Sequence, residues 1–221
     1  LDLEEVHRRV ERLAALLDEA AGARLRFLVD GREPASLFLD LRHRQAHRSS
    51  GLLRAPGQVG NLPSGEAYIV PYEGEGEPSR SEGVLPVELD GEVVRYRVTG
   101  NRAVAAEGEG PVAAREREVL AREPAYGNLA ELGLGVLSEM GIDPVGEVLL
   151  DEKLGLHVAF GRSDHFGGRV GPGDFTAPEA VVHADRVYLP SLQPRVRVPA
   201  VDLVRPDGTT LPLMRDGRYV A

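Results

Sequence analysis

The chain has 221 residues, enough for one large domain with a real core, and its 42% hydrophobic and 28% charged residues exclude wholesale disorder. Its 26 basic against 35 acidic residues leave a formal net charge of −9, which argues against a general nucleic-acid binder. There is no cysteine, so disulfides, thiolate metal sites and cysteine nucleophiles are excluded, and any metal must be held by histidine and carboxylate.

No apolar window approaches the roughly 18 to 20 residues that a spanning helix needs, so no membrane partner is expected and the expected setting is cytoplasmic. Lys153 is the sole lysine, and Asn, Gln and Met are scarce. That bias suits a thermophile, and a GC-rich genome equally.

In chain order, residues 3 to 20 predict an amphipathic helix, with Leu3, Val6, Val10, Leu13, Leu16 and Leu17 on one stripe and Gly22 able to end it. Leu25 to Val29 reads as a short strand, whereas Ser36 to Leu53 has no clear pattern. Asn61 to Glu66 is a turn that delivers Glu66 at the mouth of a strand over 67 to 70. Glu73 to Glu77 reads as a solvated acidic loop.

Val87 to Leu89 and Val93 to Val98 flank Asp90-Gly91, a hairpin signal. Val112 to Arg122 predicts a short charged helix. Further strands are expected at Ala130 to Leu137, Leu154 to Phe160 and Val181 to Leu189. Two or three more are expected around Pro206-Asp207-Gly208 in the tail. The fold class is α+β, a strand-dominated and mostly antiparallel single domain over residues 1–221, with an N-terminal helix and one or two short helices.

Four segments carry candidate chemistry. In His183-Ala184-Asp185 the imidazole and carboxylate project from the same strand face, a pairing that suits either a divalent metal or a surface ion pair. His157 shares its face only with Gly155 and Ala159, so something can approach its ring. Glu131 shares a face with Gly133 and Gly135, odd for a strand unless a ligand comes close. Glu66 stands at the end of its turn, where a solvated acid is the plainer alternative.

Taken together, these segments resemble the thermophilic metallo-aminopeptidases of the aminopeptidase T and aminopeptidase S type. The match rests on Asn61 to Glu66, Ala130 to Gly135, Asp151 to Gly161 and His183 to Asp185, in that order. The resemblance implies a metal-dependent hydrolase, with Glu66, Glu131, His157, His183 and Asp185 holding two divalent ions (Zn, Co or Mn). It further implies metal-activated water attacking a peptide bond, and a homodimer acting on a peptide or other small substrate. Among these residues Glu66 and Glu131 are the candidate catalytic acids.

Two departures stand out. The family's tyrosine, seven residues after the strand histidine, is Asp164 here, so His165 becomes the candidate proton donor and Arg162 with Asp164 the candidate substrate contacts. The family's N-terminal α/β domain has no counterpart, as in a fragment of a longer protein or a shortened relative. His157, His183 and Asp185 also form the two-histidine, one-carboxylate set of a mononuclear non-haem Fe(II) ring-cleaving dioxygenase, the alternative reading. A non-catalytic metal-binding relative is a third. His43 and His47 lack the glutamate of a metalloprotease helix, and the arginines at 42, 44, 48 and 54 read as solvated or as a subunit contact.

Overall fold

The computed structural model describes residues 1–221. Helix α1 (Leu3–Asp18) starts where the Asp2 side chain accepts hydrogen bonds from the Glu4 and Glu5 amides at 3.0 and 3.2 Å. Those two acids also suit the positive end of the helix. Val6, Val10, Leu13, Ala14 and Leu17 form its buried stripe. The helix stops two residues earlier than its periodicity predicts, because Gly22 already belongs to the first strand.

Strands β1 (Gly22–Val29) and β2 (Glu33–Asp40) form a hairpin, and β2 accounts for part of the stretch that lacked a sequence pattern. β3 (His47–Ser49) and β4 (Glu66–Ile69) follow, then β5 (Glu82–Leu89), β6 (Glu92–Thr99) and β7 (Arg102–Glu107). Asp90 and Gly91 both take positive φ between β5 and β6, as the Asp-Gly signal requires.

Helix α2 (Pro111–Arg122) has only Gly110 at its N-cap, and the Glu92 carboxylate does the capping by accepting from the Val112 and Ala113 amides. β8 (Leu129–Gly135), the four-residue α3 (Val148–Asp151), β9 (Leu156–Gly161) and β10 (His183–Val187) come next. β11 (Val196–Val204), β12 (Thr210–Arg215) and β13 (Arg218–Tyr219) complete the chain.

The strands make two antiparallel sheets, so the α+β, strand-dominated class holds. One has eight strands in the order β13-β12-β11-β1-β2-β5-β6-β7, the other five in the order β10-β9-β8-β4-β3. A single cluster of 43 buried apolar side chains draws on both sheets and on α1, so they share one core. No helix is long and apolar enough to cross a membrane.

In β4, Ala67 and Ile69 enter this core, and strand alternation turns Glu66 and Tyr68 to the opposite face. That face carries the chemistry.

Candidate metal centre

Residues paired across antiparallel strands share a sheet face. One cross-strand row of the five-stranded sheet reads Glu131, Ala159, Asp185, and the next reads Tyr68, Gly133, His157. The middle member of each row is the smallest residue, which leaves space between the outer two. At Gly133 this is obligatory: a β-carbon there would overlap His157 Nε2. The small neighbours flagged in the sequence thus form the floor beneath the polar groups.

Both imidazoles are pinned from behind. His157 Nδ1 donates to the Gly155 carbonyl at 3.1 Å, and His183 Nδ1 donates to the Arg162 carbonyl at 2.7 Å. A carbonyl can only accept, so each Nδ1 carries the proton and each Nε2 faces forward. Ahead of them Glu131 lies between the two rings, 3.1 Å from His157 Nε2 and 3.3 Å from His183 Nε2. Asp185 stands 3.6 Å from His183 Nε2, and Glu66 stands 3.5 Å from His157 Nε2.

The donors fall into two overlapping sets, Glu66–Glu131–His157 and Glu131–His183–Asp185, which share Glu131. All five residues named from the sequence meet here, so the group is a candidate metal-binding site. Three features fit a divalent cation. Both Nε2 atoms point at carboxylates. Buried oxygens of Glu66 and Asp185 have no hydrogen-bond partner. The donors, all nitrogen and oxygen, suit such an ion.

Without a cation the imidazoles themselves neutralise the acids. Burial opposes charge on His157 and His183, but hydrogen bonds to Glu131 and, for His183, to Asp185 outweigh it and push both up to about 10. Burial would raise Glu131 and Asp185 too, yet the same histidines hold both below the usual carboxylate range.

The sign follows. The histidine contribution to the cation-free fold is complete below pH ~6.5 and is lost as pH climbs through 10. The carboxylate contribution is lost on acidification through the depressed values. Loading a divalent cation at pH 7.5 should therefore release about two protons per chain, read in weakly buffered indicator dye. Zero release would mean that the rings are already neutral.

Around this centre the sole lysine is buried. Lys153 Nζ donates to Glu66 at 2.5 Å and also to Glu152. Burial and the nearby Asp185 charge push Glu152 up to about 7, against the pull of Lys153. Neither Lys153 nor Glu152 was singled out by residue chemistry, although a lone lysine beside the His157 strand was a legible signal.

Arg162 pairs with Asp164 at 2.5 Å at the rim rather than in either donor set. The His165 ring packs edge-on against His183 at 5.2 Å, and burial, then the His183 charge, lower its pKa. The structure thus places these three beside the site. His43 is exposed near Glu77, away from the centre.

One expectation is corrected in part, since the acidic loop is exposed from Glu75 to Glu77 but not at its start. Glu73 is no solvated acid: it accepts from Asn128, Ser163 and the Arg169 amide, tying the 163–170 loop to the body. The four arginines are ion-paired, Arg42 with Asp40 and Glu77, Arg44 with Glu73 and Glu75, Arg48 with Asp18 and Glu11, and Arg54 with Glu4, and of these Arg48 and Arg54 are exposed as the solvated reading has it.

No protein-family model matches the chain. No curated protein matches it. Among solved structures it is similar to 2,5-dihydroxypyridine dioxygenase from Pseudomonas putida KT2440, with a TM-score of 0.66 at 16% identity. The alignment covers 99% of this chain and 60% of that one, so the chain spans about three fifths of its neighbour's length. The likeness is one of fold. It runs against the hydrolase expectation: the neighbour is an oxidoreductase, and nothing in the comparisons supports an aminopeptidase or any other protease.

Proposed function

We propose that the chain is a metal-dependent oxygenase acting on a small hydroxylated aromatic ring, with one Fe(II) held by His157, His183 and Asp185. The observation that carries this reading is the pair of imidazoles, each fixed at Nδ1 and aimed through Nε2 at Glu131, the acid that the two donor sets share. It is supported by a fold that also serves a dioxygenase. Two histidines and one carboxylate leave coordination positions open on one side, which an oxygenase needs for its substrates.

Bound there, ferrous iron supplies the electron transfer that lets dioxygen react with an organic ring. The chain's own groups do the rest. The Gly155 and Arg162 carbonyls keep both Nε2 lone pairs presented. Glu131 sits between the rings as a proton acceptor for a ring hydroxyl, and Glu152, near 7, can hold a second proton at neutral pH. Deep burial of Glu66, Glu131 and His157 restricts water on the inner side.

The test is anaerobic loading with iron, metal analysis, then addition of 2,5-dihydroxypyridine in air. One iron per chain, oxygen uptake and loss of the substrate's near-ultraviolet absorbance are expected. Bound iron with no oxygen uptake on any hydroxylated pyridine or catechol would overturn the reading.

A further inference from the structure

The cross-strand row through His157 continues past Gly133 to Tyr68 and then to His47 on the outer strand β3. Because Gly133 has no side chain, Tyr68 is the first group beside His157 along that row. Its ring is held on two sides. His47 stacks on it at 4.8 Å with planes 11° apart, and Phe166 meets it edge-on at 4.8 Å. Phe166 then meets the His183 ring edge-on at 5.5 Å. His47 Nε2 donates to the Phe166 carbonyl at 2.8 Å, fastening the loop that brings Phe166 in. Three aromatic rings therefore make a wall from the Tyr68 row to a metal-facing histidine.

The chain has six tyrosines, and five have their hydroxyl bonded within the protein. Tyr96 and Tyr126 donate to Glu116, Tyr188 to the Pro86 carbonyl and Tyr219 to the Gly135 carbonyl, while Tyr72 accepts from the Gly76 and Glu77 amides. Tyr68 alone has no such partner. A half-buried phenol, clamped in orientation with its donor unspent, is a group waiting for a ligand acceptor.

We infer that Tyr68 is a specificity-determining residue, donating its phenolic hydrogen to an oxygen on a planar ring that lies along the His47–Tyr68–Phe166 wall. The inference rests on the metal-centre reading above and deepens it. Packing against flat rings favours an aromatic ligand over an aliphatic one, and the hydroxyl selects for an oxygen on that ring.

The experiment uses the zinc-loaded protein and two probes, 4-nitrocatechol, whose colour reports binding, and imidazole, a flat metal ligand with no oxygen. Tyr68→Phe should weaken 4-nitrocatechol about tenfold, the loss of one hydrogen bond. Imidazole affinity and zinc content should stay at the parent value. Equal 4-nitrocatechol affinity in parent and variant would overturn the inference, as would a parallel loss for both probes, which marks a merely structural role. No binding of 4-nitrocatechol by the parent would overturn it too. If the tenfold selectivity appears in a protein that consumes no oxygen, the inference stands and the oxygenase reading falls.

Discussion

Lys153→Met should cost about 3 to 5 kcal/mol of stability, the range for removing one partner of a buried ion pair. Lys153 is 3% exposed and its partners Glu66 and Glu152 are 4% and 9% exposed, so water cannot replace the ammonium. For a chain of this length that loss corresponds to a fall in Tm of roughly 6 to 20 °C. The penalty should also depend on pH. Burial already raises both carboxyls, Glu152 to about 7, and removing the cation raises them further. A carboxyl raised in the folded state destabilises increasingly as pH rises above its unfolded value. The variant should melt closest to the parent near pH 5 and furthest from it near pH 8. Equal melting of variant and parent at both pH values would show that Lys153 does not neutralise Glu66 and Glu152.

Gly133→Ala should abolish tight metal binding while leaving the protein folded. The new methyl would have to occupy the space of His157 Nε2, and the ring cannot retreat because Gly155 and Glu131 hold both of its nitrogens. Overpacking of this kind costs about 1 to 3 kcal/mol. Displacing the ring should weaken metal affinity at least ~10 to 100-fold, the effect of disturbing a ligand's support. Gly173→Ala is the control: its β-carbon would meet open space and its φ is not positive, so metal content and melting should both stay near the parent. Parent-like metal content in Gly133→Ala after dialysis would remove His157 from the ligand set.

Much of this site was legible because it is written at a period of two. Alternation in Glu131-Leu132-Gly133 and in His157-Val158-Ala159 told which side chains share a face, and the register confirms the faces. Alternation could not tell which strands are neighbours. The long loop between β3 and β4 hid β3, a three-residue strand too short to show a pattern, and with it the stacking of His47 on Tyr68. Tyr68 could have been found, since it lies two residues after Glu66 and so on the same face. Alternation predicts a strand from Leu154 to Phe160, but Glu152–Leu154 forms a tight 3-10 turn that tucks Lys153 inward. Local alternation carries no signal for such a burial, which long-range pairing with Glu66 decides. The peptidase expectation failed for a different reason: the same nitrogen and oxygen donors serve hydrolytic and oxidative metals, and the donor set alone does not choose between them.

The five-stranded sheet ends at β10, so His183 and Asp185 belong to an outermost strand while Glu66, Glu131 and His157 lie on interior ones. Terminal strands open at lower free energy than central ones. The centre is therefore built like a vice with one fixed jaw and one removable jaw. Unpairing of β10 alone would take away two of the five donors and leave the other three in place.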